Sequence, residues 1–160
     1  MFCLVYASAG VSNWSPEEVQ DMLIGFREKN ASLDVTGMLL YKDGSFLQAL
    51  EGDEAVVRDL YATIEGDDCH QQVTLIIEFP VETRSFSDWS MGLAILNPED
   101  EGQASGVKRF DQALDGLLDP EGILEFMRDF ASRMLLFTTS LAATAFLVRN
   151  HCQPRHKLDL

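Results

Sequence analysis

The pair Asp43-Gly44, set between the apolar runs 35–41 and 46–51, ties two strands into a tight antiparallel hairpin. Asp-Gly suits two-residue turns that need left-handed backbone at both central positions and whose twist matches the flanking strands. What lies on either side restricts the fold further. Residues 2–6 form a short apolar run that leaves into Ala7-Ser8-Ala9-Gly10, the pattern of a buried strand. Ser15-Pro16-Glu17-Glu18 opens a helix, with Ser15 as cap, Pro16 at the first helical position and Glu18 completing a capping box; Val19, Met22, Leu23 and Phe26 then recur at helical spacing. Asn30 is expected to close that helix. A second amphipathic helix is expected over 53–65, with Val56, Val57, Leu60, Tyr61 and Ile64 on one side and Gly66 at its end. Residues 73–79 are β-branched and apolar, bounded by Pro80, and 90–96 make a plausible fifth strand. The order β-α-β-β-α-β with a final edge strand is an α+β, ferredoxin-like arrangement in which two helices cover one face of the sheet.

This arrangement occupies residues 1–96. Residues 97–106 are rich in Pro, Glu, Asp, Gly and Gln and read as a loop, 107–150 as a helical extension, with helices at 107–118 and 119–137, and 151–160 as a polar tail. The stretch 134–148 is nearly uncharged but falls short of the roughly 20 apolar residues of a membrane span, which favours burial against the domain or a partner. A formal net charge of −14 argues against nucleic acid or an anionic membrane as partner, since both would repel the chain at long range. Cys3, Cys69 and Cys152 are widely spaced and lack zinc-ligand spacing, so they support neither a disulfide framework nor a metal site. With residues 1–8 reading as a strand and not as a signal peptide, the cytoplasm is the expected setting.

Three polar residues stand where folding alone would not place them: Tyr6 at the end of the first apolar run, Gln48 inside Phe46-Leu47-Gln48-Ala49-Leu50, and Asn30 after the first helical stripe. A buried phenol or amide costs about 1–3 kcal/mol unless it is hydrogen-bonded, and a shared polar ligand would satisfy all three at once. Taken singly, each has a plainer explanation: a core-edge tyrosine, a strand-bridging amide, and a helix-ending Asn that tolerates left-handed backbone. Phosphate-binding glycine loops, HExxH and nucleophile-elbow patterns are missing from the sequence, and Glu51-Gly52-Asp53-Glu54 reads as a solvated helix start, so an enzyme is not expected.

Leu4-Val5-Tyr6-Ala7-Ser8, Asn30 followed by Val35-Thr36-Gly37-Met38-Leu39-Leu40-Tyr41, Phe46 to Gly52, and Arg84-Ser85-Phe86-Ser87-Asp88-Trp89-Ser90-Met91 together resemble the BLUF family of flavin-binding blue-light sensors. The resemblance spans residues 2–95 in one consistent order, and the layout is similar to that of the short, PixD-type members. It implies a flavin held between the two helices, with Tyr6 as light-driven electron and proton donor, Gln48 as the amide relay, and Asn30 at the ring's carbonyl and imide edge. Trp89 and Met91 would be switch residues on opposite faces of the fifth strand, only one of them facing Gln48 at a time. Asp67 and His70 match the pattern on the phosphate side. Two departures stand out: Phe26 replaces a short polar residue, and Cys69 replaces a common Arg. Lys29 is the candidate for the missing charge, and the cofactor is expected to be FAD, with FMN or riboflavin as alternatives. The relatives further imply a homo-oligomer, a dimer or larger ring, that signals to a downstream protein. The competing readings are a flavin-dependent redox enzyme and a ferredoxin-like interaction module without a chromophore.

Overall fold

The computed structural model describes residues 1–88, 90–96 and 122–128. Five strands and two helices follow the expected order: β1 (Phe2–Gly10), α1 (Pro16–Ser32), β2 (Thr36–Lys42), β3 (Ser45–Gly52), α2 (Glu54–Glu65), β4 (His70–Pro80) and β5 (Gly92–Ile95). They form a single sheet in the order β4-β1-β3-β2-β5, antiparallel throughout except that β5 runs parallel to β2. The ferredoxin-like α+β class is therefore correct.

Local chemistry explains the boundaries. Asp43 and Gly44 both have positive φ, 47° and 82°, as the tight hairpin between β2 and β3 requires. At the start of α1, Ser15 accepts from the Glu18 backbone N–H while the Glu18 carboxylate accepts from the Ser15 N–H, a complete capping box. Asp53 caps α2 by accepting from the N–H groups of Ala55 and Val56, and Gly66 closes it. Asn30 does not close α1, which continues to Ser32 and caps at Leu33; the left-handed residue of that turn is Asp34, with φ 53°. β4 starts earlier than its apolar run, and the left-handed Gln72 coincides with a register shift against β1 between Ala7 and Ala9.

Alternation along the strands sorts the core into two faces. On the front, Leu4 and Tyr6 of β1, Leu39 and Tyr41 of β2, Phe46 and Leu50 of β3 and Leu93 of β5 pack against Val19 and Leu23 of α1 and Val57 and Leu60 of α2. On the back, Cys3, Val5, Met38, Leu40, Leu47, Ala49, Ala94 and Leu96 pack against Ile123, Leu124, Phe126 and Met127 of a helical segment, 122–128. That segment falls inside the expected 119–137 helix; the rest of the expected extension, the 97–106 loop and the tail lie outside the described residues. Gly37 lets β2 and β3 close up, since a Cβ there would collide with the Ala49 carbonyl oxygen. No helix among the described residues is long and apolar enough to cross a membrane.

Candidate functional site

The site grows from one cross-strand pair. In the β1/β3 register Tyr6 lies opposite Gln48, and both side chains point to the front, under α1 and α2. The Tyr6 hydroxyl donates to Gln48 Oε1 in a fully buried contact, and Tyr61 of α2 stacks edge-on against the Tyr6 ring at 5.4 Å between centroids. Burial, reinforced by the neighbouring Tyr61 phenol, pushes the Tyr6 hydroxyl well above the ordinary tyrosine range, so it stays protonated and remains a donor. The two polar residues thus answer each other's burial before any ligand is considered.

Gln48 has more to offer. Its Nε2 donates to the Met91 sulfur at 3.4 Å, and a thioether is a weak acceptor. Met91 is buried just before β5, which begins at Gly92, so it is not a strand residue as expected. The expectation that residues 89 and 91 face opposite ways also fails on geometry, because side chains two apart on a strand share a face; Trp89 itself lies outside the described residues. Asn30, buried on the last turns of α1, donates through Nδ2 to the Ser90 carbonyl at 2.9 Å, and Arg27, one turn earlier, donates through Nε to the Met91 carbonyl at 2.8 Å. Tyr6, Gln48, Met91 and Asn30 are thereby brought into one connected group.

The other expected residues divide. His70 opens β4 opposite Gly10, where its Nδ1 lies 3.0 Å from the Ser8 hydroxyl and its ring meets Phe46 edge-on at 5.5 Å. Burial lowers its pKa, against an opposing pull from Asp67, so the ring is neutral near pH 7 and the Ser8 contact needs no imidazolium. Asp67 accepts from the Cys69 N–H at 2.9 Å and shapes this turn. Lys29 is exposed on the last turn of α1. Phe26 is half-buried among the front-face residues.

Two residues escaped the sequence reading. Glu51 is fully buried on the back face, where its carboxylate accepts from the backbone N–H groups of Ser85 and Phe86 at 3.0 and 2.9 Å; the solvated helix start expected at 51–54 is wrong for this residue. Its position on β3, three residues from Gln48 and therefore on the opposite face, is the signal that alternation would have supplied. Arg27 carried no signal, because an exposed helical Arg is ordinary.

A flavin suits this set of groups. Its ring presents carbonyl oxygens and an imide N–H, and Gln48 keeps amide N–H capacity that a thioether satisfies only weakly, with Asn30, Ser8 and His70 on the same face. Comparison with known proteins gives the same answer. The family model for sensors of blue light using FAD, BLUF, matches residues 1–92. The photoactivated adenylate cyclase subunit beta of Euglena longa is 30% identical over 89 residues, 55% of this chain but 10% of that protein, so the chain spans a small part of the length of such curated relatives. The blue light- and temperature-regulated antirepressor BluF of Escherichia coli is 27% identical over 142 residues, 88% of this chain and 33% of the relative. Among solved structures, the dark-state BLUF protein BlrB superposes with a TM-score of 0.69 at 27% identity, covering 82% of this chain and 96% of BlrB. With the family matched over more than half its length and the Tyr6–Gln48 pair in place on the sheet, the chain belongs to the BLUF family of blue-light flavin sensors.

Proposed function

We propose that this chain registers blue light through Tyr6 and Gln48 and passes the change through Met91 and Trp89 to the strand that follows them. The observation that carries the reading is the buried Tyr6 hydroxyl donating to a Gln48 amide whose other end, among the described residues, rests on a thioether. When bound, the flavin supplies a blue-absorbing ring that becomes a strong oxidant on excitation. Tyr6 gives up an electron and its phenolic proton and afterwards takes both back. Gln48 is suited to relay the proton because its oxygen already accepts from Tyr6, and a carboxamide can exchange its donor and acceptor ends. The Met91 sulfur is the contact most readily given up in that exchange, since it is the weakest acceptor in the group.

Asn30, Asp67 and His70 are the proposed flavin contacts beyond the ring's reacting edge, with Lys29 as a further candidate. FAD is the proposed form, following the family's description; flavin released by denaturation and separated by chromatography tests this, with FMN or riboflavin as the contrary result. The proposed partner is a downstream protein, by analogy with the relative named an antirepressor, and a homo-oligomer is part of the same reading.

The test is an absorption spectrum of the flavin-loaded chain in the dark and directly after blue light. A small red shift that decays back supports the reading. Bleaching, or no shift, overturns it. Tyr6→Phe is expected to keep the yellow colour and lose the shift; a normal shift in that variant removes Tyr6 from the mechanism.

A further inference from the structure

Met91 is held in an unusual way for a residue beside a sheet. The ladder between β5 and β2 begins with Gly92 opposite Met38, so residue 91 is not fixed by strand pairing. Its place is set by α1: Asn30 Nδ2 donates to the Ser90 carbonyl at 2.9 Å and Arg27 Nε to the Met91 carbonyl at 2.8 Å. Positions 27 and 30 are three apart on a helix and so share a face, and together they pin two consecutive carbonyls. The residue whose carbonyl Arg27 holds is the same residue whose sulfur meets Gln48 Nε2 at 3.4 Å. A movement that withdraws the Met91 backbone from Gln48 therefore works against the Arg27 bond.

Resting on the Tyr6–Gln48–Met91 reading above, we infer that Arg27 is a positioning residue of the light response: its Nε–H holds the Met91 carbonyl and so keeps the sulfur on Gln48. Rearranging a segment held by two side-chain bonds is easier than slipping a strand, which would turn every side chain to the other face. It also means that return to the held arrangement depends on re-forming the Arg27 bond. A hydrogen bond from a charged donor is strong enough to govern such a step by a factor of about ten or more.

The experiment uses the flavin-loaded full chain and reads the red shift and its thermal decay in the dark. Arg27→Met keeps an unbranched chain out to the position of Nε and removes the donor; Arg27→Gln places an N–H at the same number of bonds from the backbone as Nε without the charge. The expected result is a decay slowed about tenfold or more in Arg27→Met, near the parent value (within about threefold) in Arg27→Gln, and no further slowing when Arg27→Met is added to Met91→Ala. Unchanged decay in Arg27→Met overturns the proposal, as does equal slowing in both Arg27 variants, which would assign the effect to charge. Independent, multiplying effects of Arg27→Met and Met91→Ala overturn it as well. Should Arg27→Met fail to retain flavin, Arg27→Ala, also without a donor, carries the same outcomes. Tyr6→Phe run alongside separates two failures: a normal shift there removes the relay itself, whereas an abolished shift there with unchanged decay in Arg27→Met removes only Arg27.

Discussion

The two faces of the sheet bury polar groups in opposite ways. On the back, the Glu51 carboxylate is wholly enclosed and each oxygen receives a backbone N–H from the turn at Ser85 and Phe86. Those donors belong to the main chain, and the arrangement has one good geometry. On the front, Gln48 receives a phenol at one end and, among the described residues, rests on a thioether at the other, a much weaker partner. A buried group with strong fixed partners rigidifies its surroundings, whereas one with a weak partner can trade it at little cost. The back face is built to hold and the front face to change, although both groups sit on β3, three residues apart.

Exchanging the groups for apolar ones of similar size puts this contrast to the test. Glu51→Leu leaves one buried and one part-buried N–H group without acceptors, and should cost about 2–4 kcal/mol of stability in chemical denaturation. A loss below about 1 kcal/mol would mean the turn simply finds other acceptors. Gln48→Leu should cost much less, about 1 kcal/mol, because it removes its own burial penalty along with the bond to Tyr6. Its effect should fall on the signal: flavin retained and the reversible red shift gone. An unchanged light response there would end the amide-relay account.

Two smaller effects sharpen the contrast. Ser85→Ala removes the hydroxyl that Arg128, in the helical segment 122–128, reaches with Nε and Nη2 at 3.0 and 2.7 Å. This contact is exposed, so the expected loss is about 1 kcal/mol or less, read as a small drop in denaturation midpoint with an intact spectrum. A change in the spectrum would show that the back of the sheet reaches Gln48 in the dark. The smallest effect is one of pH. His70 has a lowered pKa in the folded protein, so between that value and about 6.5 the unfolded chain binds the extra proton. Stability should therefore fall as pH drops below about 6.5, and the comparison is with His70→Gln, in which this part of the slope disappears. Equal slopes for both proteins would assign the acid sensitivity to other groups.

Much of this could be read from the residues, because much of it is local. Ser15 with Glu18, Asp53 with Gly66, and Asp43-Gly44 are short-range devices whose partners lie within a few positions, and each did what its chemistry implies. Tyr6 and Gln48 are recognisable as polar intruders in apolar strands, though not as each other's partner, since a register linking residues 42 apart is set by long-range pairing of β1 with β3 across the sheet. Glu51 differs from its sequence expectation because a carboxylate beside Gly52 and Asp53 looks solvated until the turn at 85–86 is folded over it. The sequence places Met91 on a strand because an apolar run carries no mark of where pairing begins; that limit is set by β2, which lies more than forty residues earlier. Arg27 could not be found at all, since its partner is a carbonyl that every residue possesses.

The alternation along β3 makes the sheet a two-sided board on which either side can be rewritten without the other. Leu47 and Ala49 could be recut with their neighbours to receive a different helix, while Phe46, Gln48 and Leu50, one step out of phase, keep the light-sensing layer as it is. Gly37 is the exception to that independence. Its missing side chain lets the β2 backbone lie against the Ala49 carbonyl, and a Cβ at that position would also lie 3.4 Å from the Met91 methyl carbon. A graft that exchanges every other residue of β2 must leave this glycine alone, because it fixes the spacing that both sides share.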